Sequence, residues 1–109
     1  MIARIAYFEG LSEAQLSAMT DNYERRFKAA LVSQPGLLAL YQLQRDDGTR
    51  VSVSVWESRE ASEAGGRNAN SVPLLPGQVG ADIPSPTRME LLEVANAYVA
   101  PSAVSAGPA

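Results

Sequence analysis

The sequence predicts an α+β domain in which two helices cover one face of a four-stranded antiparallel sheet. Three observations predict it. Strand-like and helix-like stretches follow one another in the order strand, helix, strand, strand, helix, strand, with turn residues between them. The turn Asp46-Asp47-Gly48 joins the second and third strands as a hairpin. The hairpin strands carry apolar residues on both faces, so both sides of the sheet need cover.

Ile2–Phe8 reads as the first strand, apolar and aromatic, and ends before Gly10. Ser12 begins S-E-A-Q, a capping box in which Gln15 reaches back to the cap. Leu16, Met19, Tyr23, Phe27, Ala30 and Leu31 then recur at helical spacing, and Pro35-Gly36 stops the helix. Residues 37–45 and 49–57 form the hairpin strands. Ser58 caps a second helix that Gly65-Gly66 is expected to break after about two turns. Residues 71–88 carry four prolines and two glycines, the composition of a loop and of a mobile cover over one mouth of any cleft. Residues 89–98 form the last strand. The domain spans 1–99, and the Ala/Pro/Ser run at 100–109 is expected to be a disordered tail. This β-α-β-β-α-β order is the split βαβ arrangement of ferredoxin-like domains.

Composition excludes several classes. The chain has 109 residues and a net charge of −3, which argues against nucleic acid as a partner. No apolar run is long enough to span a bilayer and no leader is visible, so the expectation is a cytoplasmic protein with no membrane partner. There is no cysteine and no histidine, hence no thiolate, no imidazole ligand and no Ser-His pair. The expectation is that the chain uses no metal, haem or flavin, and no phosphate-cradling glycine motif is present.

The third strand is the most informative. In V-S-V-S-V-W, Val51, Val53 and Val55 share one face, and Ser52, Ser54 and Trp56 the other. On the second strand Leu37, Ala39, Tyr41 and Leu43 share a face, opposite Leu38, Leu40, Gln42 and Gln44. Two helices cover only one side. The simplest cover for the valine side is a second copy related by two-fold symmetry, which makes Val51, Val53 and Val55 the expected dimer interface. The Ser-Ser-Trp face then looks toward the helices. The side chains there are small, and the second helix offers little beyond Ala61, Ala64 and two glycines. Either that helix lies very close to the sheet, or a cavity remains with Trp56 as its wall and Ser52, Ser54 and Asn68 nearby.

The runs P-G-L-L at 35–38 and V-S-V-W-E-S-R-E-A-S-E-A at 53–64 resemble the antibiotic biosynthesis monooxygenase-like family of the dimeric α+β barrel superfamily. The resemblance covers about residues 2–98. It implies a homodimer whose sheets meet in a barrel, each protomer keeping a cleft between sheet and helices. Trp56 matches the family tryptophan that lines this cleft. Some members oxidise aromatic polyketides with dioxygen and no metal or flavin, while others degrade haem using a histidine on the second helix. This chain has no such histidine. The resemblance therefore implies a cofactor-independent monooxygenase acting on a phenol- or quinone-like compound, or else a non-catalytic module holding a small aromatic or apolar ligand. For the first, Asn22 and Tyr23 are candidate cleft residues, and Tyr7 and Tyr41 further candidates for proton transfer. If the domain is purely structural, Trp56 is a core aromatic.

Overall fold

The computed structural model describes residues 1–101, so residues 102–109 of the expected tail lie outside the described residues. Four strands, β1 (Ile2–Phe8), β2 (Leu37–Gln44), β3 (Arg50–Trp56) and β4 (Arg88–Glu93), form one sheet in the order β2-β3-β1-β4, every neighbouring pair antiparallel. One helical body crosses the sheet between β1 and β2. It consists of α1 (Glu13–Asn22), a π-helical turn (Tyr23–Phe27) and α2 (Lys28–Val32). The second helix, α3 (Arg59–Asn70), lies between β3 and β4. This is the ferredoxin-like α+β fold.

Local chemistry sets the ends of these elements. Ser12 accepts from the Gln15 N–H at 3.1 Å, and its own N–H donates to Gln15 Oε1 at 2.9 Å, closing the capping box. Ser58 Oγ accepts from the Ala61 N–H at 3.1 Å and starts α3. Gly36, with φ of +85°, turns the chain out of α2 and into β2. A side chain there would also meet Ala61, since a Cβ would lie 2.7 Å from that methyl group.

Register assigns the two faces. Ile2, Arg4, Ala6 and Phe8 oppose Trp56, Ser54, Ser52 and Arg50, and this is the helix-facing side. Ala3, Ile5 and Tyr7 oppose Val55, Val53 and Val51 on the other side, where Ala39, Tyr41 and Leu43 continue the row. Strict alternation fails at one point. A bulge between Leu37 and Ala39 sets Leu37 opposite Trp56, so Leu37 packs with the core instead of sharing a face with Ala39.

Two further expectations are corrected. The last strand stops at Glu93, because β1 runs out of partners there; the final bond of that pairing is Val94 N–H to the Met1 carbonyl. The second helix does not break at Gly65-Gly66 but runs 12 residues to Asn70. The reason is packing. Trp56 is 1% exposed and lies directly beneath Gly65, where a Cβ would come within 2.3 Å of its Cη2. The glycine costs helix propensity, and the burial of the indole and of Ala69 against the sheet outweighs it.

The adjacent glycines therefore predict opposite outcomes. Gly65→Ala forces α3 off the indole and should cost about 1–3 kcal/mol. A Cβ on Gly66 would lie 3.5 Å from Arg4 Nη1, an ordinary contact, so Gly66→Ala should stabilise by up to about 1 kcal/mol. Urea midpoints at unchanged slope check the pair, and equal effects at both positions would show that the helix does not rest on the ring.

Candidate ligand cleft

Between the helices and the sheet lies a cavity of about 400 Å³. Its floor is the helix-facing side of the sheet, with Ala6, Leu40, Ser52 and Ser54. Its roof comes from the long helical body through Met19, Asn22, Tyr23 and Phe27. Ser62, Gly66 and Asn70, spaced four apart on α3, form one wall. Pro84, Ser85 and Pro86, from the segment after α3, border it as well. The lining is mainly apolar, edged by a few polar groups.

The π-helical turn helps shape the roof. The Lys28 N–H bonds the Tyr23 carbonyl, five residues back, and the extra residue rotates the helix within the cavity roof. Asn22 and Tyr23 meet the cavity just where the turn begins. Arg26, on the same turn, donates to the Asn22 Oδ1 at 3.0 Å and to the carbonyls of Asn70, Val72 and Pro73. One guanidinium thus ties the roof to the chain leaving α3. A second tie joins Gln78 Nε2 to Asp21 Oδ2 at 3.1 Å. That bond, together with Arg25, lowers the Asp21 carboxyl below its ordinary value. The segment expected to be a mobile cover is thus hydrogen-bonded to the helical body at two points and holds a short 3-10 turn, Gly80–Asp82.

The polar groups around the cavity are mostly donors. The Trp56 Nε1–H is already used, donating to Ser54 Oγ at 2.8 Å. Ser52 Oγ donates to Gln42 Oε1 at 2.7 Å, which leaves the Gln42 amide N–H groups to donate. The Asn22 oxygen is taken by Arg26, which leaves its amide N–H groups likewise. Arg4, Ser62 and Tyr23 add further donors, and no Asp, Glu, His or Cys is among the lining residues. Among the described residues there is no cluster of three such groups that could hold a metal ion. No helix of the described residues is long and apolar enough to cross a membrane.

Of the residues singled out from sequence, Ser52, Ser54, Trp56, Asn22 and Tyr23 are brought together here. Asn68 is not. It points along the other side of α3, where its Nδ2 donates to Gln34 Oε1 at 3.2 Å, and Asn70 borders the cavity in its place. A helix that continues past the glycines carries Asn70, two positions on, round to the Ser62 and Gly66 stripe. Tyr7 and Tyr41 face the opposite side of the sheet. Tyr7 donates to Glu90 Oε1 at 2.9 Å, with the Arg88 guanidinium 3.6 Å over its ring, and Tyr41 is 56% exposed. Trp56 borders the cavity but is itself 1% exposed. Gly65 of α3 closes over the indole, and further along the strand Ser54 and Ser52 belong to the cavity floor. Arg4 and Ser62 were missed. An arginine at the helix-facing position of an otherwise apolar strand was the available signal for the first.

No protein-family model and no curated protein matches the sequence. Solved structures do. The monooxygenase ActVA-Orf6 of Streptomyces coelicolor, in complex with nanaomycin D, superposes with a TM-score of 0.65 at 16% identity, over 91% of each chain. A variant of MhuD with two manganese protoporphyrin IX molecules per active site gives 0.64 at 20% identity, over 92% of this chain and 100% of that one. SnoaB, a cofactor-independent oxygenase from Streptomyces nogalater, gives 0.53 at 17% identity, over 88% and 91%. These neighbours are dimeric α+β barrel proteins of the antibiotic biosynthesis monooxygenase-like group, and the chain has their fold.

Because the indole is enclosed, Trp56→Ala should cost about 3–5 kcal/mol, the range for emptying a well-packed aromatic site. Ser54→Ala leaves the buried indole N–H without its acceptor and should cost about 1–3 kcal/mol. Chemical denaturation checks both. A Trp56→Ala protein as stable as the wild type would show that the ring packs against open space.

Proposed function

We propose that the chain is a small-molecule-binding homodimer, a cofactor-independent monooxygenase acting on a phenol- or quinone-like aromatic compound. The observation that carries this reading is the 400 Å³ apolar cavity whose rim is rich in N–H and O–H donors. Apolar walls that include Phe8, Phe27 and Tyr23 suit an aromatic skeleton, and surplus donors suit a ligand that brings oxygen acceptors. The neighbours that hold nanaomycin D or act as oxygenases without a cofactor support the same reading. Such a reaction balances without a redox partner. A phenol oxidised to a quinone takes one oxygen atom from dioxygen as the new carbonyl, and its two lost hydrogens leave with the other atom as water. The absence of histidine anywhere in the chain weighs against haem degradation as the family resemblance describes it.

The second reading is ligand binding without turnover. It is favoured by the lack of any carboxylate or imidazole lining the cavity, which leaves no ordinary general base beside a bound phenol. Oxygen uptake separates the two. With 1-naphthol and protein dialysed against chelator, the enzyme reading expects oxygen consumption and 1,4-naphthoquinone above the buffer rate. Saturable calorimetric binding of 1-naphthol with no oxygen consumed would establish the non-catalytic module.

Dimerisation is part of the proposal and rests on the other sheet face. Val51, Val53 and Val55 share it with Ile5, Tyr41, Leu43 and Leu92, and the last three are about half exposed in the single chain. Burying such side chains is worth about 1.5–3 kcal/mol each. The wild type should sediment as a dimer at micromolar concentration, and Val53→Asp as a monomer, because it puts an unpaired charge in that interface. A wild-type monomer would sink this part of the proposal.

A further inference from the structure

Among the described residues, two side-chain groups bordering the cavity have no oxygen or nitrogen partner. Arg4 is the first. It stands on β1 opposite Ser54 and Leu91 and is the only charged residue among those lining the cavity. It makes no ion pair among the described residues, and the one polar contact of its guanidinium is Nη2 to Met89 Sδ at 3.9 Å. Glu63 borders the shallower groove on the far side of Arg4 but forms no ion pair with it. Ser62 is the second. It is 0% exposed, and its Oγ has no hydrogen-bond partner. Buried hydroxyls are nearly always satisfied, so an orphan bordering a cavity points to a ligand atom.

The two lie together. The Arg4 guanidinium rests against Gly66, with Nη1 3.5 Å and Cζ 3.8 Å from where a Cβ would stand. Ser62 is one helical turn before Gly66 on the same face of α3. A cation and a buried hydroxyl donor therefore both border, through the same stretch of α3, a cavity lined by no acid.

We infer that the cleft selects a ligand carrying an anionic oxygen, a carboxylate or phenolate on an aromatic skeleton, bound by Arg4 with Ser62 as a second donor. The inference rests on the small-molecule reading of the cleft and names the chemical class of its occupant. An oxyanion there pairs the unpaired guanidinium and satisfies the orphan hydroxyl at once, whereas a neutral ligand does only the second. It also bears on chemistry. A cavity without a base of its own is better served by a substrate that arrives already ionised.

The test compares two isosteres by titration calorimetry: 2-naphthoate and naphthalene-2-carboxamide. Wild-type protein should bind the naphthoate about 10- to 100-fold more tightly, the range for a hydrogen bond to a charged group. In Arg4→Met that ratio should fall to about one, in Arg4→Lys it should be reduced but remain above one, and in Ser62→Ala it should drop several-fold. A readout that needs no variant is salt. The wild-type ratio should shrink as ionic strength rises toward about 1 M. Equal binding of the two probes by the wild type, or a ratio unchanged in Arg4→Met, would overturn anion selection while leaving the cleft intact. If neither probe binds, the small-molecule reading fails and the inference falls with it.

Discussion

The contact between Gly65 and the six-membered ring of Trp56 sets the height of α3 above the sheet, and the rest of the site follows from it. With the indole fully enclosed, the helix cannot settle lower at that end. The long helical body meets α3 through the core formed by Ala30, Leu31, Trp56 and Ala69. Further along, β3 itself offers only Ser54 and Ser52 to this face, side chains too short to reach a helix held at indole height. The cavity is the gap that this difference leaves. It is a consequence of one large residue at the end of a strand followed by two small ones, and it requires no separate device to hold it open.

The same strand serves both sides of the sheet. Its alternation gives three small valine surfaces to one face and three hydrogen-bonding groups to the other. On the cavity side each hydroxyl is committed to a neighbour, Ser52 to Gln42 and Ser54 to the indole. Those bonds fix the floor. They also occupy the Gln42 and Ser54 oxygens and leave those groups' hydrogens free to donate, and this is how a mainly neutral, apolar space comes to present donors and no acidic acceptor.

Much of this was legible in the sequence. The capping box at Ser12, the N-cap at Ser58, the Asp-Gly turn and the alternation in β3 are local signals, and local chemistry decides them. What was not legible depended on partners distant in the chain. The continuation of α3 through two glycines is decided by the indole beneath it, and propensity alone argues the other way. Once the helix continues, Asn70 replaces Asn68 at the cavity. The bulge that moves Leu37 into the core answers to the packing of α2 and α3, and the π-helical turn at Tyr23 has no composition of its own. Arg4 was overlooked because an arginine in a strand is ordinarily solvated. Only the tertiary structure shows that it borders a cavity without a counter-charge.

The position of β1 has a consequence for how the chain reaches this structure. It is the earliest strand, yet it lies inside the sheet between β3 and β4, and its contact from Arg4 to Met89 spans 85 positions. During synthesis one edge of β1 can pair as soon as β3 has emerged. The other edge waits until β4 is made, with a row of amides and carbonyls open to any strand that passes. For that interval the nascent chain is a three-stranded sheet with two open edges, exposed to pairing with another nascent copy. The charges that flank the waiting edge, Arg4 within β1 and Glu9 just beyond it, are where such mispairing meets resistance.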